Sequence, residues 1–146
     1  MKKNTLLHVM IILLTLLALA SIAADGGRKF TTTLTGAAEA PGPGDPDGSG
    51  SASLSLNPGV EMVCFELSVS GIALPATGAH IHRAVAGSPG PVVVPLIPPG
   101  ESGTSSGCVS ASRDLILAIM QNPDGYYVNV HSTEFPAGAV RGQLSK

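Results

Sequence analysis

The sequence predicts an all-β fold, an antiparallel Greek-key β-sandwich or barrel of seven to eight strands with one short helix. Three observations carry this reading. Short runs of alternating apolar and polar residues recur along the chain, which is the period of a half-buried strand. Turn signals rich in Gly and Pro separate these runs at short intervals. Only one stretch, Leu115, Ile116, Ile119 and Met120, has the spacing of a helix.

Each element follows from local residue types. Residues 30–34 are Thr-rich and strand-prone. A turn-rich stretch, 36–50, leads to a second strand at 51–56, where Ala52, Leu54 and Leu56 share one face. Asn57-Pro58-Gly59-Val60 reads as the turn of a hairpin into residues 61–70. There Val63, Phe65, Leu67 and Val69 face one way, and Cys64, Glu66 and Ser68 the other. Residues 78–83 form a short strand, and 92–97 another, in which Pro95 predicts an edge or bulged position. Residues 98–107 read as loop and Cys108-Val109 as a brief strand. Ser110 or Ser112 can cap the helix, and Asn122-Pro123 stops it. Strands at 126–131 and 139–144 complete the set. Aromatic residues make up only 3% of the chain, so the core must rest on Val, Leu, Ile and Ala.

The N-terminus has the form of a secretory signal. Lys2 and Lys3 precede an apolar run from Leu6 to Ala20, and small residues follow at Ser21-Ile22-Ala23. Residues 1–23 are therefore expected to be a signal peptide, and 24–146 a single domain, secreted or periplasmic. The alternative is an uncleaved anchor. After cleavage no membrane partner is expected. Removing Lys2 and Lys3 from the eight basic residues leaves six against ten acidic ones, a net charge of −4. With no basic patch, nucleic acid is not an expected partner. Cys64 and Cys108 are the only cysteines, and an even pair in a secreted chain reads as a disulfide.

The candidate chemistry lies in the histidines. Apart from His8 in the leader, they are His80 and His82 in Ala79-His80-Ile81-His82, and His131 at the end of Tyr127-Val128-Asn129-Val130-His131. Residues i and i+2 of a strand share a face. Ile81 takes the core side, so both imidazoles point outward. In the later strand Tyr126, Val128 and Val130 form the apolar face, leaving Tyr127, Asn129 and His131 on the other. Two readings stand: a three-nitrogen metal site outside a barrel wall, suited to copper or zinc, or histidines that hold loops by hydrogen bonds. Arg141 faces the same way as Gln143 and can either steer an anion or pair with Glu39 or Glu134. Glu39, in a turn after the first strand, reads as a partner that supports a histidine or as a loop charge. Asp45-Pro46-Asp47-Gly48-Ser49-Gly50 faintly resembles a calcium loop but lacks the later glutamate, and a surface turn is the expectation.

Several of these runs together resemble the CHRD domain, the module named after chordin. They are the 34–41 run Leu-Thr-Gly-Ala-Ala-Glu-Ala-Pro, Ala79-His80-Ile81-His82 with the 87–94 run Gly-Ser-Pro-Gly-Pro-Val-Val-Val, and the 126–131 strand leading to the 134–144 run Glu-Phe-Pro-Ala-Gly-Ala-Val-Arg-Gly-Gln-Leu. The resemblance spans residues 30–144. It implies an extracellular module: in chordin these domains belong to an antagonist of bone morphogenetic proteins, and small single-domain versions occur in secreted bacterial proteins. A weaker likeness bears on chemistry. The H-x-H strand, the later V-x-V-H strand and a following arginine are similar to the copper site of Cu/Zn superoxide dismutases. That likeness implies His80, His82 and His131 as ligands and Arg141 as a guide for superoxide. The chain departs from that pattern in having no histidine between His82 and His131 and in placing Cys64 before the H-x-H motif.

The expected function is a non-enzymatic extracellular binding or structural module, with an extracellular protein or matrix partner and copper or zinc at the three histidines. The alternatives are a copper-dependent, dismutase-like redox enzyme and a metal carrier without turnover.

Overall fold

The computed structural model describes residues 27–146. The signal-peptide reading of residues 1–23 lies outside the described residues. Eight strands follow in chain order: β1 (Arg28–Thr35), β2 (Ser49–Asn57), β3 (Met62–Ser70), β4 (Gly78–Arg83), β5 (Val92–Leu96), β6 (Thr104–Ser110), β7 (Tyr126–His131) and β8 (Val140–Gln143). Among the described residues one α-helix, α1 (Arg113–Gln121), lies between β6 and β7. The strands form one sheet in the order β5-β4-β7-β8-β1-β2-β3-β6, with every pairing antiparallel. The sheet curls into a nearly closed barrel. Its two ends, β5 and β6, are linked where the Ser105 hydroxyl donates to the carbonyl just past β5, Ile97 O, at 2.8 Å.

Alternation builds the core. Along β2 and β3 every second residue is buried: Ala52, Leu54 and Leu56 on one strand, Val63, Phe65, Leu67 and Val69 on the other. Register pairs Leu54 with Phe65 and Leu56 with Val63, so the apolar faces coincide. Ile81, Val94, Val128, Val130 and Val140 complete the barrel interior, and Ile116 and Ile119 of α1 join the same cluster. The Ser112 hydroxyl accepts from Leu115 N at 3.3 Å and caps α1, and Arg28 donates to Met120 O at its far end.

Two features of the hairpins follow from their residues. Asn57 Oδ1 accepts from Gly59 N and shapes the β2–β3 turn. On the edge strand β5, Ile81 pairs with Val94 but His82 pairs with Val92, so the register shifts by one residue there.

The main difference from the sequence reading is β6. It begins at Thr104, inside the stretch 98–107 read as loop. Its inward positions are Ser105, Gly107 and Val109, paired with Leu67, Phe65 and Val63. A Cβ on Gly107 would lie 3.1 Å from Ile97 and 3.6 Å from the Phe65 ring. The space is already taken by the partner strand, so this strand carries no apolar alternation to detect. The 45–50 segment is a turn: Asp45 is buried, and its Oδ1 accepts from Asp47 N at 3.1 Å.

Cys64 and Cys108 are directly opposite on β3 and β6 and form a disulfide. They are 44 residues apart in sequence, and closing such a loop stabilises the folded state by about 4 kcal/mol in the chain-entropy account. Replacing both cysteines with serine should lower the unfolding free energy by about that amount, read as a fall in the urea midpoint. Equal midpoints for the two proteins would remove the crosslink from the sources of stability.

Candidate metal centre

Strand β4 carries His80 and His82 and strand β7 carries His131. Antiparallel register sets Gly78 opposite His131, His80 opposite Asn129 and His82 opposite Tyr127. Ile81, between the histidines, is fully buried in the core. All three imidazoles therefore lie on the outer face of the wall, and they converge. One nitrogen from each ring lies within 4.8 Å of the others, and His80 Nδ1 is 3.1 Å from His131 Nε2. Gly78 makes room beneath them, since a Cβ there would lie 3.2 Å from His80 Cε1 and 3.4 Å from His131 Cδ2.

Hydrogen bonds fix which nitrogens are free. His82 Nδ1 donates to Gly90 O at 2.8 Å, and His131 Nδ1 donates to Pro136 O at 3.0 Å. A carbonyl only accepts, so in the neutral rings the proton is on Nδ1 and the lone pair on Nε2. His82 Nε2 is buried and has no hydrogen-bond partner among the described residues. A buried polar atom without a partner costs free energy, and here it is a lone pair beside two other imidazoles. This donor set fits a transition-metal ion. Ligands of one tetrahedral ion lie about 3.4 Å apart, given metal–nitrogen bonds of about 2 Å, so the widest pair of nitrogens would have to close inward to share one ion. Burial first, and then the neighbouring imidazoles, hold the pKa values of His80 and His131 below the ordinary histidine value; for His131 the hydrogen bond to Pro136 O opposes this. The neutral, ligating form is thereby favoured.

Loops roof this wall and bury a polar layer on it. Glu39, His82, Asn129 and Arg141 are all buried there. Tyr127 stacks on His82, with ring centroids 4.8 Å apart and planes 7° from parallel, and the Arg141 guanidinium lies 3.4 Å from the Tyr127 ring centre. Arg141 is 1% exposed. Its Nη1 donates to Ser88 O, and its Nη2 to Val85 O and Gln143 Oε1, at 2.9, 3.0 and 3.2 Å. Burial lowers its pKa, against the charges of Tyr127 and Glu39. Its short contacts are thus to loop carbonyls, and Glu39 acts on it through charge.

Glu39 sits over Asn129 and Arg141, and Gly138 admits it: a Cβ on Gly138 would lie 2.5 Å from its carboxyl oxygens. Burial pushes the Glu39 carboxyl up to about 7, against the lowering effects of Arg141, the Ala40 backbone N–H and the Asn129 side chain. The sequence reading did not single out Tyr127, Asn129 or Gln143 as part of the site. Parity had put Tyr127 and Asn129 on the histidine face, but nothing in their types marked the loops that would cover them.

A separate shallow groove of about 940 Å³ runs along the wall of β1, β2, β3 and β6, lined mainly by Ser and Thr hydroxyls with Glu66. It brings together no set of ligating or titrating groups, whereas an ion at the histidines needs no such volume.

The fold and the site define a class: a small antiparallel β-barrel whose outer wall gathers three imidazoles beneath loops. The chain belongs to the CHRD domain family, whose model matches residues 30–144. No curated protein and no solved structure matches it.

The Glu39 carboxyl gives a pH test. Its folded pKa, about 7, lies above the ordinary carboxylate value of 4.5, so the folded state holds the proton more tightly. The associated stability is complete below pH 4.5 and is lost as pH rises through about 7. Relative to Glu39→Gln, the native protein should lose unfolding free energy from about pH 4.5 to about pH 7, with the difference levelling off above that. The histidines give an opposite slope, but it is common to both proteins and cancels in the difference. A pH-independent difference in denaturant midpoints would show that Glu39 is not buried as a shifted carboxyl.

Proposed function

We propose that this CHRD domain is an extracellular binding and structural module, secreted or periplasmic, that holds one copper or zinc ion on His80, His82 and His131. The observation that carries this is His82 Nε2, buried without a hydrogen-bond partner and within 4.8 Å of ligating nitrogens on the other two rings. Two of the three rings are held through Nδ1 by backbone carbonyls, the arrangement that orients metal-ligating imidazoles and raises their basicity. A bound ion would supply Lewis acidity or, as copper, a redox couple. The disulfide supports the extracellular assignment, because such bonds persist in oxidising compartments. No helix among the described residues is long and apolar enough to cross a membrane. A protein or matrix component outside the cell is the proposed partner.

Holding an ion is favoured over turnover on superoxide by the state of Arg141. A guide for a small anion needs free N–H groups facing solvent. Both terminal nitrogens of Arg141 are committed to carbonyl and amide oxygens, and the side chain is closed off from solvent.

Equilibrium dialysis followed by elemental analysis tests the reading. The native protein should retain one equivalent of copper or zinc at neutral pH, and His82→Ala should lose stoichiometric binding. Protons compete for the same nitrogens, so affinity should fall as the solution is acidified. The lowered pKa values of His80 and His131 move that loss below the ordinary histidine value of 6.5. Absence of stoichiometric metal from the native protein would sink the proposal. A superoxide assay on the copper-loaded form separates holding from turnover.

A further inference from the structure

We infer that Arg141 is a positioning residue for the histidine site: it anchors the 84–91 loop, which keeps the Gly90 carbonyl on His82 Nδ1 and aims His82 Nε2 at the other two imidazoles. The inference concerns the free protein first; its consequence for metal affinity rests on the function proposed above.

The loop has no apolar anchor of its own. Among residues 84–91 none is buried, and Val85 is 60% exposed. The loop's shape comes from polar contacts. Within it Ser88 N donates to Val85 O at 3.2 Å, and at its base Arg83 N donates to Pro91 O at 3.1 Å. The remaining contacts come from the barrel wall. Arg141 grips the loop at two carbonyls, Val85 O and Ser88 O. Gln143 donates to Ala84 O at 2.8 Å, and the Tyr127 hydroxyl accepts from Gly90 N at 3.3 Å. Charge-assisted bonds from a fixed guanidinium fork are the strongest of this set. They act on residues two and five positions before Gly90.

Gly90 is held closely. A Cβ there would fall 2.1 Å from Arg83 O, so the backbone packs against the end of β4 where only glycine fits. Among the described residues its carbonyl is the sole hydrogen-bond partner of the His82 ring. Tyr127 completes the link from the other direction, with His82 stacked on its ring and Arg141 held against it. Since β7 lies between β4 and β8, arginine and imidazole reach the tyrosine from opposite sides. Arg141 thus acts on His82 through the loop carbonyl and through the shared ring, without touching the histidines.

The test uses Arg141→Lys and Arg141→Met in the full chain. Lysine keeps a cation over the Tyr127 ring but lacks the fork that reaches two carbonyls. Ile116→Val on α1 serves as a mildly destabilising control away from the loop. In metal-free protein, long-range proton–nitrogen NMR should show His82 as the Nδ1–H tautomer in the native chain and the control, and as a mixture in both Arg141 variants. On copper titration, the Arg141 variants should bind about tenfold more weakly or worse, with an altered Cu(II) EPR spectrum, while the control matches the native protein. A His82 tautomer unchanged in Arg141→Lys overturns the inference, as does copper affinity kept within about threefold of native with the same spectrum, against the tenfold loss expected when an outer partner of a ligand is removed. If the tautomer shifts but no form binds copper stoichiometrically, the positioning role stands and the metal reading falls.

Discussion

The register of β4 against β7 is the constraint from which the rest of this molecule follows. Ile81 and Val128 face each other inside the barrel, and this apolar pair fixes where every neighbouring residue must point. With side chains alternating along a strand, a slip of one residue would turn His80 and His82 into the core and expose Ile81. Burying two imidazoles among valines and leucines would strip them of partners, at a cost the fold could not absorb. The hydrophobic core therefore specifies the histidine cluster indirectly, by leaving it the opposite face.

That opposite face is not a solvated surface. Loops from three parts of the chain close over β4, β7 and β8, and beneath them lie a carboxylate, an amide, a guanidinium and an imidazole. Such a layer adds little to stability by itself, because desolvating these groups costs about as much as their mutual contacts return. Its effect is orientational. Arg141 and Gln143 hold the 84–91 loop by its carbonyls, and the Gly90 and Pro136 carbonyls orient the His82 and His131 rings. Rigidity of this kind is what a ligand site requires of its surroundings.

Much of the barrel was legible in the sequence because it is written in period two. Val63, Phe65, Leu67 and Val69 announce their strand, and the same logic placed Ile81 inward and His80 and His82 outward before any coordinates. The helix was legible from the spacing of Leu115, Ile116 and Ile119. What was not legible depends on partners distant in sequence. Strand β6 has Gly107 on its inner face because Phe65 and Ile97 already occupy the space, and nothing near Gly107 says so. The burial of Arg141 and Glu39 likewise depends on loops 50 or more residues away for one and on Asn129 for the other. A glutamate in a turn and an arginine on the outer face of a strand read locally as surface charges, and only the folded loops show them enclosed.

The β3–β6 crosslink has a chemical consequence beyond loop closure. Thiolates are softer and stronger donors than imidazoles towards copper(I) and zinc. Free cysteines at positions 64 and 108 would compete with the histidines for any such ion, and the strand order sets them on a different part of the barrel. Both cysteines of the chain are tied up in one bond. On the proposed metal reading, oxidation silences these rival donors and leaves the three imidazoles as the donor set open to a soft metal.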